Sequence, residues 1–494
     1  GANTAVGYQA LKLNAVASNT AVGHSAGLNT TGTLNTYVGA SAGSGGSGAE
    51  ANNVGVGASA LGAITNGTHN VAVGYYSGVN LTTGDDNVML GKSAGNAFNS
   101  SNVVAVGSNA LASVTSADAD GAVSIGKSAL YALTSGIANT AIGYESLKAA
   151  VTSDYNTAVG YQTLLAVNGD GDGGNSAFGF KAGYAVTSGT FNTFLGRTAG
   201  YTANTMSGSV FIGGEAGKLA TTGNDNIGIG RVAMGGATTT GDNNIAIGAN
   251  AGDALTSGNL NIFMGKNAGG GSTTDVNNIL IGHDAGSGAW TGSPSSQNTV
   301  VGDGAMKGAM NGALYNSAFG AYTLYSVTTG DSNTSLGHGS GYLISTGVQN
   351  TLIGRNAGDA MSTTSNTVLI GMDAGTAINS ADADGTVAIG TRAGAALTSG
   401  QKNLALGFEA LNSSATGDDN IAIGYQAMSS VSHASAKQNI ILGNNIMTGS
   451  GNYWMSDNIV IGHNAATNPQ SADFDGNVLI GNSVVQAPGA AGAY

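Results

Sequence analysis

The sequence predicts an all-β fold, a parallel β-solenoid of about 28 coils, and three observations support it. The phrase Asn-x-x-apolar-Gly, with some variation at the Asn, recurs 28 times, first at residues 3–7 and last at residues 477–481. Successive repeat glycines are 16 to 20 residues apart, most often 17. Glycine accounts for 84 of the 494 residues and proline for only 3. A period this short is typical of stacked coils rather than of a single central core.

The residues before the repeat glycine predict a strand that is buried on both sides. With the glycine as position 0, position −1 is apolar in all 28 copies, and position −3 is Thr, Ser, Val, Ile or Leu. These two positions share one strand face, and position −2 lies on the other. No charged residue occupies any of the three. One face must fill the coil interior, and the other needs a second surface. We therefore expect a homo-oligomer, for which a trimer fits best.

The rest of the coil predicts turns and a polar ladder. Position +3 is alanine in 21 of 28 copies, and position +4 alternates between glycine and leucine or methionine. Thr-Ser-Gly or Thr-Thr-Gly turns, such as residues 134–136 and 82–84, lead back to the next strand. Position −4 is asparagine in 23 of 28 copies, so stacking predicts a ladder of side-chain amides. A structural corner is the favoured interpretation over a ligand-binding row of amides.

Composition excludes several functional classes. The net charge is −13 and the basic residues are scattered singly, which argues against a nucleic-acid partner. Only 8% of residues are charged while 41% are hydrophobic, unlike a disordered chain. No apolar run approaches the roughly 18 residues of a membrane span, and without cysteine there is no disulfide. We expect one continuous repeat domain over residues 1–494, belonging to a longer extracellular fibre.

The repeat resembles two related groups of fibrous proteins. Residues 3–11 read Asn-Thr-Ala-Val-Gly-Tyr-Gln-Ala-Leu and are nearly repeated at 156–164. This phrase is similar to the head repeat of trimeric autotransporter adhesins, written Asn-Ser-Val-Ala-Ile-Gly-x-x-Ser-x-Ala, and to the repeat of phage tail-fibre-like proteins. The resemblance covers essentially the whole chain, although the adhesin repeat is shorter. It implies a left-handed, trimeric β-roll in a fibre that reaches or grips a surface.

Function is therefore predicted to be structural or adhesive. The first expectation is a tail-fibre-like or surface-attachment shaft on a virion or cell, and the alternative is a bacterial cell-surface trimeric adhesin. An alternative of another class is an ice- or crystal-binding solenoid that uses the recurrent threonine turns. Matches to Gly-x-Ser-x-Gly, as at residues 23–27, belong to the repeat itself and are not strand-to-helix elbows, so no enzyme is expected.

One candidate metal site comes from Asp-x-Asp-Gly, which occurs in four coils. Paired carboxylates two residues apart resemble the start of a calcium loop. Further side-chain ligands are absent from the motif, and Asp-Gly is also an ordinary turn, so any calcium binding is expected to be weak; no other cofactor is expected. The residues concerned are Asp118, Asp120, Asp170, Asp172, Asp382, Asp384, Asp473 and Asp475.

A candidate binding row follows the repeat glycine. Position +1 should face outward, and it carries many aromatic and cationic residues. Such a row suits a cell-surface receptor or a glycan, whereas a solvated edge or packing between subunits is the structural alternative. The row comprises Tyr8, Tyr75, Tyr144, Tyr161, Phe180, Arg197, Arg231, Arg355, Phe408 and Tyr425.

Overall fold

The chain folds as an all-β parallel solenoid, which confirms the predicted fold class. The computed structural model describes residues 1–13, 18–97, 99–114, 119–169, 171–290, 292–431, 436–448, 455–467 and 474–484. Contacts divide the chain into two compact units, Gly1–Asn243 and Asn244–Tyr494. Whether residues 1–494 act as one continuous domain stays a prediction. Among the described residues, no helix has the length and apolar character needed to cross a membrane.

Each coil contributes one three-residue strand that ends just before the repeat glycine. In the first unit the strands are Thr4–Val6, Thr20–Val22, Thr36–Val38, Val54–Val56, Val71–Val73, Val88–Leu90, Val104–Val106, Val123–Ile125, Thr140–Ile142, Thr157–Val159, Ser176–Phe178, Thr193–Leu195, Val210–Ile212 and Ile227–Ile229. A minor strand pair, Ser153–Asp154 with Gly171–Asp172, lies beside them. In the second unit they are Ile245–Ile247, Ile262–Met264, Ile279–Ile281, Thr299–Val301, Ser317–Phe319, Thr334–Leu336, Thr351–Ile353, Val368–Ile370, Val387–Ile389, Leu404–Leu406, Ile421–Ile423, Ile440–Leu442, Ile459–Ile461 and Val478–Ile480, with one 3-10 turn at Ala381–Ala383.

Within each unit the strands pair in parallel and in register, so that equal repeat positions face each other. Val54, for example, pairs with Val71 of the next coil, and Val56 pairs with Val73. The amide of each repeat glycine continues the ladder: the Gly74 N–H donates to the Val56 carbonyl oxygen at 2.8 Å. Each repeat position therefore forms a column of like residues along its unit.

The strand has an interior face and an outer face, as its two apolar sides predict. Position −2 points inward and is fully buried in most coils, including Ala21, Phe211 and Val460. Positions −3 and −1 lie on the outer face and remain partly accessible: Phe178 is 41% exposed and Leu336 is 50% exposed. The apolar outer face is therefore uncovered within a single chain.

The repeat glycine is required both by its backbone angle and by the next coil. Gly337 has φ of +139°, a conformation that residues with a side chain rarely adopt. A Cβ atom placed there would also lie 2.5 Å from the carbonyl oxygen of Gly354, the equivalent glycine of the next coil. Because the same contact recurs along the column, glycine is the residue that the stacking allows at position 0.

The interior volume of each coil is shared between positions −2 and +4. Where position −2 is aromatic, leucine or methionine, position +4 is glycine in every coil for which both residues are described. The pairs are Tyr37 with Gly43, Met89 with Gly95, Phe194 with Gly200, Phe211 with Gly217, Phe263 with Gly269, Leu280 with Gly286, Leu352 with Gly358, and Leu369 with Gly375. Where position +4 is leucine, as at Leu147, position −2 is alanine, glycine or serine. The alternation seen in the sequence is thus a compensation of volume.

The asparagines at position −4 form the predicted amide ladder. Asn333 is fully buried, and its Nδ2 donates to Asn316 Oδ1 at 3.1 Å and to the Gly347 carbonyl oxygen at 2.9 Å. Its own Oδ1 accepts from the backbone N–H and the Nδ2 of Asn350. The hydrogen-bonding groups of these amides are therefore satisfied by neighbouring coils within the stack, which supports the structural interpretation of the row.

The volume pairing is tested with Phe211 and Gly217. Phe211→Ala opens a cavity and should cost about 3–5 kcal/mol, and Gly217→Leu overpacks against the ring and should cost about 1–3 kcal/mol. The double variant recreates the combination of Ala141 and Leu147, so it should be clearly more stable than the sum of the single effects. Thermal unfolding followed by circular dichroism measures this. Additive losses would contradict the shared interior volume.

Candidate functional site

A second polar column, at position −6, was not predicted from the sequence. In many coils where this position is Asp, Asn or Ser, a side-chain oxygen accepts a hydrogen bond from the backbone N–H of the equivalent residue in the preceding coil. Asp85 Oδ1 accepts from the Thr68 N–H at 2.6 Å, and Asp331 Oδ1 accepts from the Leu314 N–H at 2.7 Å. Ser and Asn fill the same role elsewhere, as when Asn224 Oδ1 accepts from the Ser207 N–H at 2.8 Å. The common signal is a short polar residue two positions before the Asn column.

Three of the candidate calcium residues belong to this column. Asp120, Asp384 and Asp475 cap the N–H groups of Ser101, Ser365 and Ser456, each at 2.7 Å. The glycine that follows each aspartate has a positive φ of 69° to 78°, which explains why Asp is followed by Gly. The carboxylates therefore have a structural role in joining coils.

The remaining aspartates of the motif are placed differently. Asp172 lies in the minor strand pair opposite Asp154, and Asp382 accepts from the Ser380 hydroxyl at 3.1 Å. Asp118, Asp170 and Asp473 lie outside the described residues. Within the described residues, no group of three or more His, Cys, Asp or Glu side chains is arranged to hold a metal ion. Calcium binding at these loops stays a prediction.

The capping role of Asp384 makes a prediction that a metal site would not share. Asp384→Ala leaves the Ser365 N–H without its acceptor and should cost about 0.5–2 kcal/mol, as the loss of a helix cap does. Asp384→Asn keeps an acceptor, as Asn224 does in its coil, and should be nearly neutral. Thermal unfolding with and without calcium separates the cases. Calcium stabilisation that both variants abolish would instead establish a metal site.

The position +1 residues of the candidate binding row lie on the surface of their units. In the first unit Tyr144, Tyr161 and Phe180 occupy consecutive coils and stack face to face, with ring centroids 5.1 and 5.4 Å apart and planes within 10°. Tyr161 is 44% exposed. Because neighbouring rings cover each other's faces, these side chains direct their edges toward solvent.

Two lysines and a further tyrosine complete this surface. Lys127 Nζ lies 5.8 Å from the Tyr144 ring centroid. Lys181 Nζ lies 5.4 Å from the Phe180 centroid and 5.1 Å from that of Tyr184, whose other neighbour is Tyr201 at 5.0 Å. We call Lys127, Tyr144, Tyr161, Phe180, Lys181 and Tyr184 the aromatic–cationic cluster. The sequence row contains its three rings from consecutive coils; Lys127 comes from position +1 of the coil before them, and Lys181 and Tyr184 come from positions +2 and +5 of the Phe180 coil.

The other members of the predicted row are dispersed. Tyr8 stacks on His24 at 5.3 Å, and Tyr75 meets Tyr76 edge-on. Arg197 pairs with Glu215, and Arg231 is exposed in the same column. In the second unit Phe408 stacks on Tyr425 at 5.3 Å, and Arg355 lies 3.6 Å from an Asp373 carboxylate oxygen. The structure thus places these residues outward, but gathers only some of them together.

The recurrent threonine turns point their hydroxyl groups into the stack. Thr134 donates to the Val151 carbonyl oxygen at 3.0 Å, and Thr398 donates to that of Ala415 at 2.8 Å. Thr256 and Thr328 make the same contact with the coil that follows. A flat array of hydroxyls for an ice or crystal lattice needs donors that face solvent, so these hydrogen bonds weigh against that alternative.

A buried carboxylate lies beside a buried tyrosine in the first unit. Glu50 is 1% exposed; its Oε1 accepts from the Thr31 N–H at 3.1 Å, while its Oε2 has no hydrogen-bond partner among the described residues. The Tyr37 hydroxyl is likewise buried, lies near the Asn53 side chain, and has no partner at hydrogen-bond geometry within the described part of the chain. Desolvation raises the pKa of Glu50, and burial, with the Glu50 charge nearby, raises the pKa of Tyr37. Neutral Glu50 is thus favoured in the folded state.

This raised pKa predicts a pH dependence of stability. A carboxyl group whose pKa is higher in the folded state stabilises the fold in its protonated form. Stability should therefore fall as the pH rises from the ordinary glutamate value of 4.5 through the raised pKa. Glu50→Gln removes the buried charge, so it should abolish this part of the fall and make the protein more stable than the wild type at pH 7. Thermal unfolding from pH 4 to pH 8 tests this, and a destabilised Gln variant would contradict it.

Comparison with known proteins adds no family to this description. No protein-family model matches the chain, and no curated protein matches it.

Proposed function

We propose that this chain is the shaft of an extracellular structural fibre, in which identical copies associate through their outer sheet faces. The observation that carries the proposal is the outer face itself. Positions −3 and −1 hold no charged residue in any of the 28 repeats, yet those strand residues lie partly exposed in both units. A solenoid that worked as a monomer would be expected to carry polar side chains there.

The extent of this face favours a partner over bare solvent. With coils about 4.8 Å apart, the fourteen strands of the first unit form an uncharged strip about 60 Å long, apolar throughout at position −1 and partly Thr or Ser at position −3. Soluble monomers rarely expose continuous apolar patches larger than a few hundred Å². At about 25 cal/mol per Å² of buried apolar area, covering the strip supplies a large driving force for association.

A second copy of the same chain is the partner that suits this strip best. The partner must be apolar over the same length and must repeat at the same spacing, and another solenoid of this sequence meets both requirements. Three copies around one axis would pack their outer faces against each other and bury all three of them. The resemblance to trimeric adhesin heads and phage tail-fibre-like proteins supports the trimer and the extracellular location. A tail-fibre-like shaft is the leading identity, and a cell-surface adhesin the alternative; end-to-end continuation with further subunits suits either.

Matched substitutions in the second unit test the association. The first variant places three charges on the outer face by combining Phe319→Asp, Leu336→Asp and Leu406→Asp. We expect it to be monomeric, or to associate more weakly than the wild type. The control combines Tyr322→Asp, Phe408→Asp and Tyr425→Asp, which lie at similar exposure outside that face. Sedimentation velocity should show a trimer for the wild type and the control. A monomeric wild type, or equal loss of mass in both variants, would overturn the proposal.

A further inference from the structure

We infer that the aromatic–cationic cluster of the first unit binds an acidic polysaccharide, one whose sugars carry carboxylate or sulfate groups. The inference rests on the proposed function, because it assumes an extracellular shaft that presents this surface to a cell or to the glycans around it. It specifies the class of ligand that would bind the outward-facing positions +1, +2 and +5 in the stretch between Lys127 and Arg231.

Positive charge is concentrated on this surface although the chain as a whole is acidic. Six of the 14 lysine and arginine residues in the chain lie between residues 127 and 231, all at positions +1, +2 or +5. They are Lys127, Lys148, Lys181, Arg197, Lys218 and Arg231. The same columns in these coils hold two carboxylates, Glu145 and Glu215. The surface is thus locally cationic on a chain of net charge −13, which favours an anionic ligand at this place.

Lys127 and Lys181 differ from Lys148 and Lys218 in that their ammonium groups are not neutralised by a carboxylate among the described residues. Lys148 and Lys218 are engaged with Glu145 and Glu215 at 2.7 and 3.2 Å. Lys127 and Lys181 make no ion pair among the described residues, and each instead has its ammonium group over aromatic rings. Cation–π contact fixes the position of an ammonium group and leaves its N–H donors available.

The exposed edges of the stacked rings favour the same ligand. An aromatic ring carries partial negative charge on its faces and partial positive charge at its edge. The stacking of Tyr144, Tyr161 and Phe180 hides the faces, so the strip between the two lysines offers ring edges and two phenolic hydroxyls. Carboxylate, sulfate and sugar hydroxyl oxygens all interact favourably with such edges.

A polysaccharide suits this surface better than a nucleic acid does. Nucleic acids carry closely spaced phosphates, and their affinity depends on neutralising many of them with clustered cations. Here the cations are separated by aromatic residues, and the rings are not free to stack on bases because their faces are already covered. An extended glycan with a charge on every sugar or every second sugar matches a row of sparse cations and ring edges.

The test uses the protein of residues 1–494 in its assembled form and four probes: heparin, polygalacturonate, neutral dextran and single-stranded oligothymidylate. The variant Lys127→Glu with Lys181→Glu reverses the charge of the two lysines of the cluster. The control, Lys92→Glu with Lys266→Glu, makes the same charge change at position +1 outside the cluster. Binding is measured by biolayer interferometry at two salt concentrations, and the mass of each variant is checked by sedimentation.

We expect heparin, polygalacturonate or both to bind the wild type, more weakly at higher salt; which of them binds tells whether sulfate or carboxylate is recognised. The cluster variant should lose at least about tenfold in affinity, equivalent to about 1.4 kcal/mol, and the control less than about twofold. No binding of either acidic glycan, equal losses in both variants, or tighter binding of dextran or oligothymidylate would overturn the inference. A monomeric wild type that still binds through the cluster would refute the shaft alone, whereas a trimer that binds nothing would refute this inference alone.

Discussion

The close stacking of one backbone turn on the next is the constraint on which the rest of this structure depends. Each repeat glycine has a positive φ, and except in the last coil of each unit it lies against the glycine of the following coil, so a side chain at that position would separate the coils. With the turn fixed, the strands within each unit meet their neighbours in register, and each repeat position becomes a column along its unit. Side chains then need only suit their own column, which is why so short a phrase can be repeated so many times.

Different columns stabilise the stack through different interactions. Inward positions −2 and +4 exchange volume within a coil, whereas the Asn column and the position −6 column satisfy polar groups between coils. Almost every buried side-chain polar group described has a partner, and Glu50 and Tyr37 are among the few that lack one. A solenoid built in this way obtains its stability from the sum of neighbouring contacts, not from one large core.

The sequence was sufficient for the fold class, the strand positions, the apolar character of both strand faces and the Asn ladder, because each leaves a periodic trace. It did not reveal the position −6 column, since Asp, Asn and Ser share that role and no single residue type repeats there. Asp384 belongs to this column and caps the Ser365 N–H, a role that the Asp-x-Asp-Gly motif alone did not indicate; its calcium binding stays a prediction. The cluster around Phe180 was seen only in part, because Lys181 and Tyr184 reach it from other positions of the coil.

Amide hydrogen exchange resolved along the chain tests the central claim most directly. After the first coil of each unit, the N–H of the repeat glycine donates to the preceding coil, as Gly160 does to the Ile142 carbonyl oxygen at 2.7 Å. If stacking through these glycines holds each unit together, their amides should exchange slowly and to a similar extent in successive coils. Glycine amides that exchange at the rate of an unstructured peptide in most coils would contradict the account.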